Sequence, residues 1–265
     1  MKRPLPSLPE HRRHRTLQAC LLTAGLLVGF DASAAGQDDT AGDEAAAVAD
    51  AHDWFDLRRQ AAPPGNVEAG RTKALLCATC HGPTGAASVA PMIPNVAGQS
   101  ADYLYWELLE YKRGTLVESP MTVLTADISE EDIRDLASFY AVQTPGAHTV
   151  EADADAPDPE LLARGEHLYR NGDPARGIPA CQGCHGADAR RPAFAGRTDS
   201  RGHAPYAAYP ALRSQRDVYL QARLAAFRDG KMRYSTTDFV MTGIGRQLDD
   251  DSILALSTWL SSLEP

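Results

Sequence analysis

The sequence is short of long apolar runs, basic charge, strand-like alternation and cysteine, and each shortage removes a class of protein. Its main apolar run, Leu17 to Phe30, has 14 residues, against about 20 for a helix that crosses a bilayer. No later segment is apolar enough to cross one. Lys and Arg number 26 against 35 Asp and Glu, a net charge of −9. So acidic a chain argues against a nucleic-acid partner. Neither half of the sequence carries a convincing alternation of apolar and polar residues, so a sheet protein is not expected. There are only five cysteines, and four of them fall in two copies of one motif: CATCHG at 77–82 and CQGCHG at 181–186.

Two Cys-x-x-Cys pairs have several chemical uses. Four thiolates can hold zinc, two pairs can form disulfides in an oxidising compartment, and one pair in a βαβ setting can act as a thioredoxin-like centre. None of these requires the His that directly follows the second Cys in both copies. Covalent attachment of c-type haem does. Cys77 and Cys80, and Cys181 and Cys184, would then add to the haem vinyl groups as thioethers, with His81 and His185 as axial iron ligands. The expected cofactors are two covalently attached haem c groups, four cysteines being spent on them.

The N-terminus has the layout of a secretory signal. Lys2, Arg3, Arg12, Arg13 and Arg15 precede the apolar run, Asp31 ends it, and ASAA at 32–35 offers cleavage after Ala34. Cys20 lies early in the run and reads as a small apolar residue of the signal. Loss of residues 1–34 removes five basic and two acidic residues and takes the net charge from −9 to −12. An uncleaved signal acting as a membrane anchor is the weaker alternative. The expected compartment is the periplasm.

The remainder repeats itself. Cys77, Cys80 and His81 match Cys181, Cys184 and His185 at an offset of 104, PNVAGQSADYLYWELLEYKRG (94–114) matches PALRSQRDVYLQARLAAFRDG (210–230) at 116, and 121–140 matches 241–260 at 120. The second copy therefore carries a 12-residue insertion within 190–209. The matched pieces have helical spacing. Leu104, Leu108 and Tyr111 recur as Leu220, Leu224 and Phe227, one apolar stripe per helix. Ile133, Leu136 and Phe139 recur as Ile253, Leu256 and Trp259 in a last helix that starts at a cap, Ser129 or Asp249. A first helix precedes each motif. The expected fold is all-α: two tandem domains, at 63–147 and 160–265, each wrapped around a haem that also serves as a large apolar body for a core too small to be secure without a staple. Acidic stretches at 35–62 and 148–159 read as a disordered segment and a linker.

The repeat also selects a sixth iron ligand. Met121 and Met241 are the Met residues that align with each other, eight residues before the last helix of each copy, in sequence with turn character. Met92 and Met232 lack a counterpart and are the fallbacks. An iron held by His and Met is closed and suited to electron transfer. His52 and His148 lie in linker-like sequence, and His167 reads as a surface or core residue. His203, in the insertion, would displace Met241 if it reached the iron. Arg190, Arg191, Arg197 and Arg201 read equally as a solvated loop or as partners for haem propionates.

Taken together, the paired CxxCH motifs, the PNVAGQ segment before an amphipathic helix and the Met before the last helix resemble the dihaem cytochrome c4 family, over about 66–145 and 160–265. The resemblance implies two class I cytochrome c folds related by a pseudo-twofold axis, with the haems facing across the interface. It further implies electron delivery from a quinol-oxidising complex to a terminal oxidase, membrane association arising only through such partners or an uncleaved signal. Gly70 and Gly165 look like the glycines that let the first helix cross the last against Phe139 and Trp259. Two alternatives stand beside the carrier: a dihaem peroxidase-like enzyme with one open iron, and the electron-transfer subunit of a periplasmic dehydrogenase. The paired Met residues argue against the enzyme.

Overall fold

The computed structural model describes residues 61–114, 119–146, 156–232 and 235–265. The signal sequence, nearly all of the acidic segment, most of the 148–159 linker, His52 and His148 lie outside the described residues.

Helices form where caps and spacing expect them. Five occupy the first copy: α1 (Val67–Lys73), α2 (Ala78–His81), α3 (Ala101–Lys112), α4 (Pro120–Thr125) and α5 (Glu130–Ala141). Five more occupy the second: α6 (Pro159–Asn171), α7 (Gln182–His185), α8 (Asp217–Arg228), α9 (Thr236–Gly245) and α10 (Asp250–Ser262), with a 3₁₀ turn at Pro174–Arg176. Among the described residues there is no strand, only an isolated antiparallel bridge between Asp173 and Ile178. At the starts of the last helices, Ser129 Oγ accepts from the Asp132 N–H at 3.1 Å and Asp249 Oδ1 from the Ser252 N–H at 2.8 Å, which satisfies amides left open at a helix N-terminus.

Both copies pack in one pattern. The first helix crosses the last (α1 on α5, α6 on α10), the middle helix packs on the last (α3 on α5, α8 on α10), and the Met-bearing helix packs on the middle one (α4 on α3, α9 on α8). Two hydrophobic clusters result. One gathers Leu104, Tyr105, Trp106, Leu109, Ile133 and Phe139; the other gathers Leu168, Tyr169, Leu220, Ile253, Leu256 and Trp259.

The crossing of first and last helices depends on the absence of a side chain. A Cβ on Gly70 would lie 2.1 Å from the Asp135 carbonyl oxygen and 2.7 Å from Phe139 Cβ. On Gly165 it would lie 2.1 Å from the Ala255 carbonyl oxygen and 2.6 Å from Trp259 Cβ. Backbone cannot retreat as a flexible side chain can, so the helices would have to separate.

Met121 and Met241 depart from the expectation of turn-like surroundings, since both sit inside helices. Ser119 caps α4, accepting from the Met121 N–H at 3.2 Å, and Pro120 holds its first position. Ser235 caps α9, accepting from the Asp238 N–H at 3.0 Å. The Ser and Pro that read as a turn are helix-start signals.

Gly165→Ala should cost at least the ~1–3 kcal/mol typical of overpacking a core, because the new methyl meets backbone. Chemical denaturation of the purified holoprotein measures it. A variant as stable as wild type would show that α6 and α10 are not held at this distance.

Candidate functional site

Each CxxCH motif makes one short helical turn. Cys77 and Cys181 are its N-caps, and α2 and α7 end on His81 and His185. Three-residue spacing on a helix brings the two thiols of a pair onto one face. The glycine after each His closes the turn in a conformation that side chains avoid, with φ of 79° at Gly82 and 87° at Gly186. A Cβ there would lie 2.6 Å from the Ala87 carbonyl oxygen or 2.5 Å from that of Arg191.

Both imidazoles are buried and held the same way. His81 Nδ1 lies 2.8 Å from the Pro94 carbonyl oxygen, and His185 Nδ1 lies 3.0 Å from that of Pro210. Nδ1 is thereby the protonated nitrogen, and Nε2 is left as the one that can bind a metal. Burial pushes the pKa of both rings down, against a weaker upward pull from the Pro carbonyls, so the neutral, ligating form is favoured. The prolines were visible in the sequence as matched residues of the repeat, but which backbone oxygen meets an imidazole was not.

The two motifs open onto one continuous cavity of about 970 Å³. Its wall includes Cys77, Cys80, His81 and Met121 from the first copy and Cys181, Cys184, His185 and Met241 from the second. All six stripe residues, Leu104, Leu108, Tyr111, Leu220, Leu224 and Phe227, line it too. The apolar periodicity of α3 and α8 therefore serves the cavity, while Tyr105, Trp106 and Leu109, on other faces of α3, complete the protein core. Natural interiors are packed to crystal density, and a greasy void of this size is what an apolar ligand occupies. The donor set fits haem c: paired thiols, an oriented neutral imidazole and a thioether, twice over.

It does not fit the other uses of Cys-x-x-Cys. All four cysteines are free thiols. Burial pushes Cys77, Cys184 and Cys181 up, the last to about 11, which favours the protonated thiol where no cation lies beside it. Among the described residues, no group of three or more His, Cys, Asp or Glu is placed to share an ion.

The remaining candidates separate cleanly. Met92 and Met232 also line the cavity, Met92 at 56% exposure and Met232 at 2%. His203 stays outside it, 3.0 Å from Asp199 Oδ2 in the insertion. His167 is exposed and bonded to Asn171. None of the four insertion arginines lines the cavity. Arg190 is exposed and donates to the Pro265 carbonyl; Arg191 is partly buried, donates to that of Ala207 and keeps its Nε buried without a partner, so the solvated-loop reading describes Arg190 and not Arg191.

Sequence reasoning passed over the polar seam between the copies. Gln99 and Gln215, known only as a matched pair, each clasp the opposite copy's backbone. Gln99 accepts from the Ala211 N–H at 2.9 Å and donates to its carbonyl at 2.6 Å; Gln215 does the same with Asn95, at 2.9 and 2.8 Å. Glu107 on α3 is ion-paired with its own repeat partner, Arg223 on α8. Beside them two buried carboxyl groups meet, Glu110 from α3 and Asp238 from α9, both in the cavity wall. Burial first, and then the charge of Asp238, push Glu110 up to about 8.

Comparison with known proteins agrees with this picture. The cytochrome c family profile matches residues 162–264. A cytochrome c4 from Thiocapsa roseopersicina is 38% identical over 77% of this chain and 97% of its own length. The crystal structure of reduced recombinant cytochrome c4 from Pseudomonas stutzeri superposes with a TM-score of 0.59 at 31% identity, covering 76% of this chain and all of that one. A thiosulfate dehydrogenase electron acceptor from Thiomonas intermedia is 27% identical over 76% of this chain and 84% of its own.

The Glu110–Asp238 pair sets a pH dependence with a definite sign. The folded protein keeps a proton on Glu110 up to about pH 8, whereas the unfolded chain releases it in the ordinary carboxylate range. The native state thus binds more protons over that interval, and its stability falls as pH rises through it. Denaturation midpoints taken at successive pH values should show this decline, and Glu110→Gln should flatten it. An unchanged slope in the variant would mean that Glu110 is ionised at neutral pH.

Proposed function

The chain belongs to the cytochrome c4 family, and from that footing we propose that it works as a periplasmic shuttle, taking electrons from a quinol-oxidising complex and passing them to a terminal oxidase. It carries two covalently attached haem c groups in a class I cytochrome c fold, and it transfers electrons and is not an enzyme. Assigned to the proposal are the residues that hold those groups. Cys77 and Cys80 anchor one through thioethers, and Cys181 and Cys184 the other. His81 and His185 bind the irons through Nε2, and Met121 and Met241 supply the sixth ligands. Residues 63–147 and 160–265 are its two domains, 148–159 their linker, and 1–34 a signal that directs export.

A single observation carries the residue roles: each His is buried at the wall of a common apolar cavity with its Nδ1 fixed by a backbone carbonyl, and the matched Met of the same copy lines that cavity. Haem iron bound there supplies a one-electron couple, and the rest of the work belongs to the chain. Pro94 and Pro210 orient the imidazoles and raise their basicity. The α3 and α8 stripes keep water from the site, which lowers the reorganisation that accompanies a change of charge. Among the described residues no helix is long and apolar enough to cross a membrane, in keeping with a carrier that diffuses between partners.

A second reading has its own support. The relative named as a thiosulfate dehydrogenase electron acceptor aligns over most of both chains, and a thiosulfate dehydrogenase from Marichromatium purpuratum superposes with a TM-score of 0.58 at 25% identity over 74% of this chain and 40% of that one. On this reading the electrons come from a periplasmic dehydrogenase. Stopped-flow reduction by a purified quinol-oxidising complex, set against reduction by such a dehydrogenase, distinguishes the two donors.

Met121→Ala and Met241→Ala should each abolish the Met–iron charge-transfer band of one haem and let that iron bind carbon monoxide. Both bands surviving in Met121→Ala would transfer the role to Met92, which also lines the cavity.

A further inference from the structure

The insertion at 190–209 is a feature of one copy that the carrier function, as read so far, leaves unused. It places a succession of aromatic rings beside the second motif. The His185 and Tyr209 ring centroids are 6.1 Å apart, Tyr209 and Tyr206 are 5.5 Å apart, and Tyr206 and Phe194 are 5.0 Å apart. Phe194, the far end, is 42% exposed. The first copy has Ile93 where the second has Tyr209 and nothing that corresponds to the other two rings. The succession runs from the buried His185 out to solvent at Phe194.

The segment that carries the rings is pinned. The Ala189 carbonyl accepts from Leu212 and Arg213 at 2.9 and 3.0 Å, and the Ala207 carbonyl accepts from Arg191 at 2.8 Å and from Ser100 of the first copy at 2.9 Å. Asp199 holds the tip by accepting from the Arg201 and His203 N–H groups at 2.8 and 2.9 Å. The surface around Phe194 also differs in charge from the rest of the chain. Residues 190–209 contain four arginines and one acid, on a protein of net charge −9. Arg197 and Arg201 are exposed and have no carboxylate partner among the described residues.

We propose that this insertion is an electron port: a basic, aromatic docking surface for an acidic redox protein, joined to the second haem through Phe194, Tyr206, Tyr209 and His185. The proposal rests on His185 being an iron ligand. One electron leaves the reduced partner and arrives at ferric iron, making it ferrous. No bond forms or breaks, no proton moves, and the rings stay closed-shell, serving only to couple donor and acceptor orbitals across short gaps. Arginines at the mouth steer and orient an acidic partner, at a rate that salt screens.

The test uses the full holoprotein with a ruthenium polypyridyl label on Thr198→Cys, and a control label on Val142→Cys, followed by flash reduction. Tyr206→Leu should slow reduction of the second haem from position 198 several-fold, leave the rate from position 142 unchanged, and leave both haem potentials unchanged. Tyr209→Leu should do the same. Equal rates with and without Tyr206 would overturn the port. Separately, a reduced plant-type [2Fe–2S] ferredoxin, an acidic one-electron donor, should reduce Arg197→Glu/Arg201→Glu protein more slowly than wild type at low salt and with a weaker salt dependence; an unchanged rate would overturn the docking surface. The ligand reading is checked independently, by loss of one low-spin haem spectrum in His185→Ala. A port that fails while that spectrum is lost leaves the two-haem assignment standing.

Discussion

The exchange of hydrogen bonds by Gln99 and Gln215 is the constraint on which the rest of the structure depends. Each carboxamide satisfies both the N–H and the C=O of one residue on the opposite copy, and both glutamines are buried, at 7% and 6% exposure. A neutral hydrogen bond contributes only about 1 kcal/mol net, but stranding a buried donor or acceptor costs its full desolvation. Removing either glutamine would strand two backbone groups at once. The backbone they hold is the same segment whose proline carbonyls fix the two imidazoles: Asn95 follows Pro94 and Ala211 follows Pro210. The joint between copies and the orientation of the two imidazoles are thus one piece of geometry.

That joint explains why a single cavity serves both motifs and why α3 and α8 are used on more than one side. Each turns an apolar stripe to the cavity, sends a residue across the seam in the Glu107–Arg223 pair, and gives other residues to a hydrophobic cluster. Neither cluster encloses itself without what fills the cavity. The first copy leaves Leu76 at 59% and Leu124 at 42% exposure along the cavity wall, as expected of side chains whose packing partner is a prosthetic group.

Much of this was legible in the sequence because the repeat tests each reading twice. The motifs, the stripes and the caps at Ser129 and Asp249 follow from local spacing, which does not depend on distant parts of the chain, whereas the close helix crossing at Gly70 and Gly165 came with the family resemblance. The misses were of two kinds. The sequence around Met121 and Met241 was read as turn-like because turns and helix starts draw on the same side chains, and only the backbone that follows distinguishes them. The Glu110–Asp238 contact, the amide exchange and the proline carbonyls involve partners far apart in the chain or main-chain atoms that every residue possesses, so residue identity carries no signal for them. The arginines of the insertion look alike in sequence, yet Arg190 and Arg191 end on carbonyls while Arg197 and Arg201 face solvent.

In the Gln99–Gln215 exchange, residue 99 bonds residue 211 while residue 215 bonds residue 95, and each number in the second pair is its counterpart in the first shifted by 116. That is the signature of an isologous contact, the kind made by two identical subunits across a twofold axis. The two copies meet as the subunits of a dimer would, but within one chain, so their assembly does not depend on concentration. Within one chain the two copies need not be identical. A homodimer must accept every substitution twice, on both sides of its axis, whereas here one side could gain a 12-residue insertion and its rings, and the other could keep Ile93, without disturbing the shared seam.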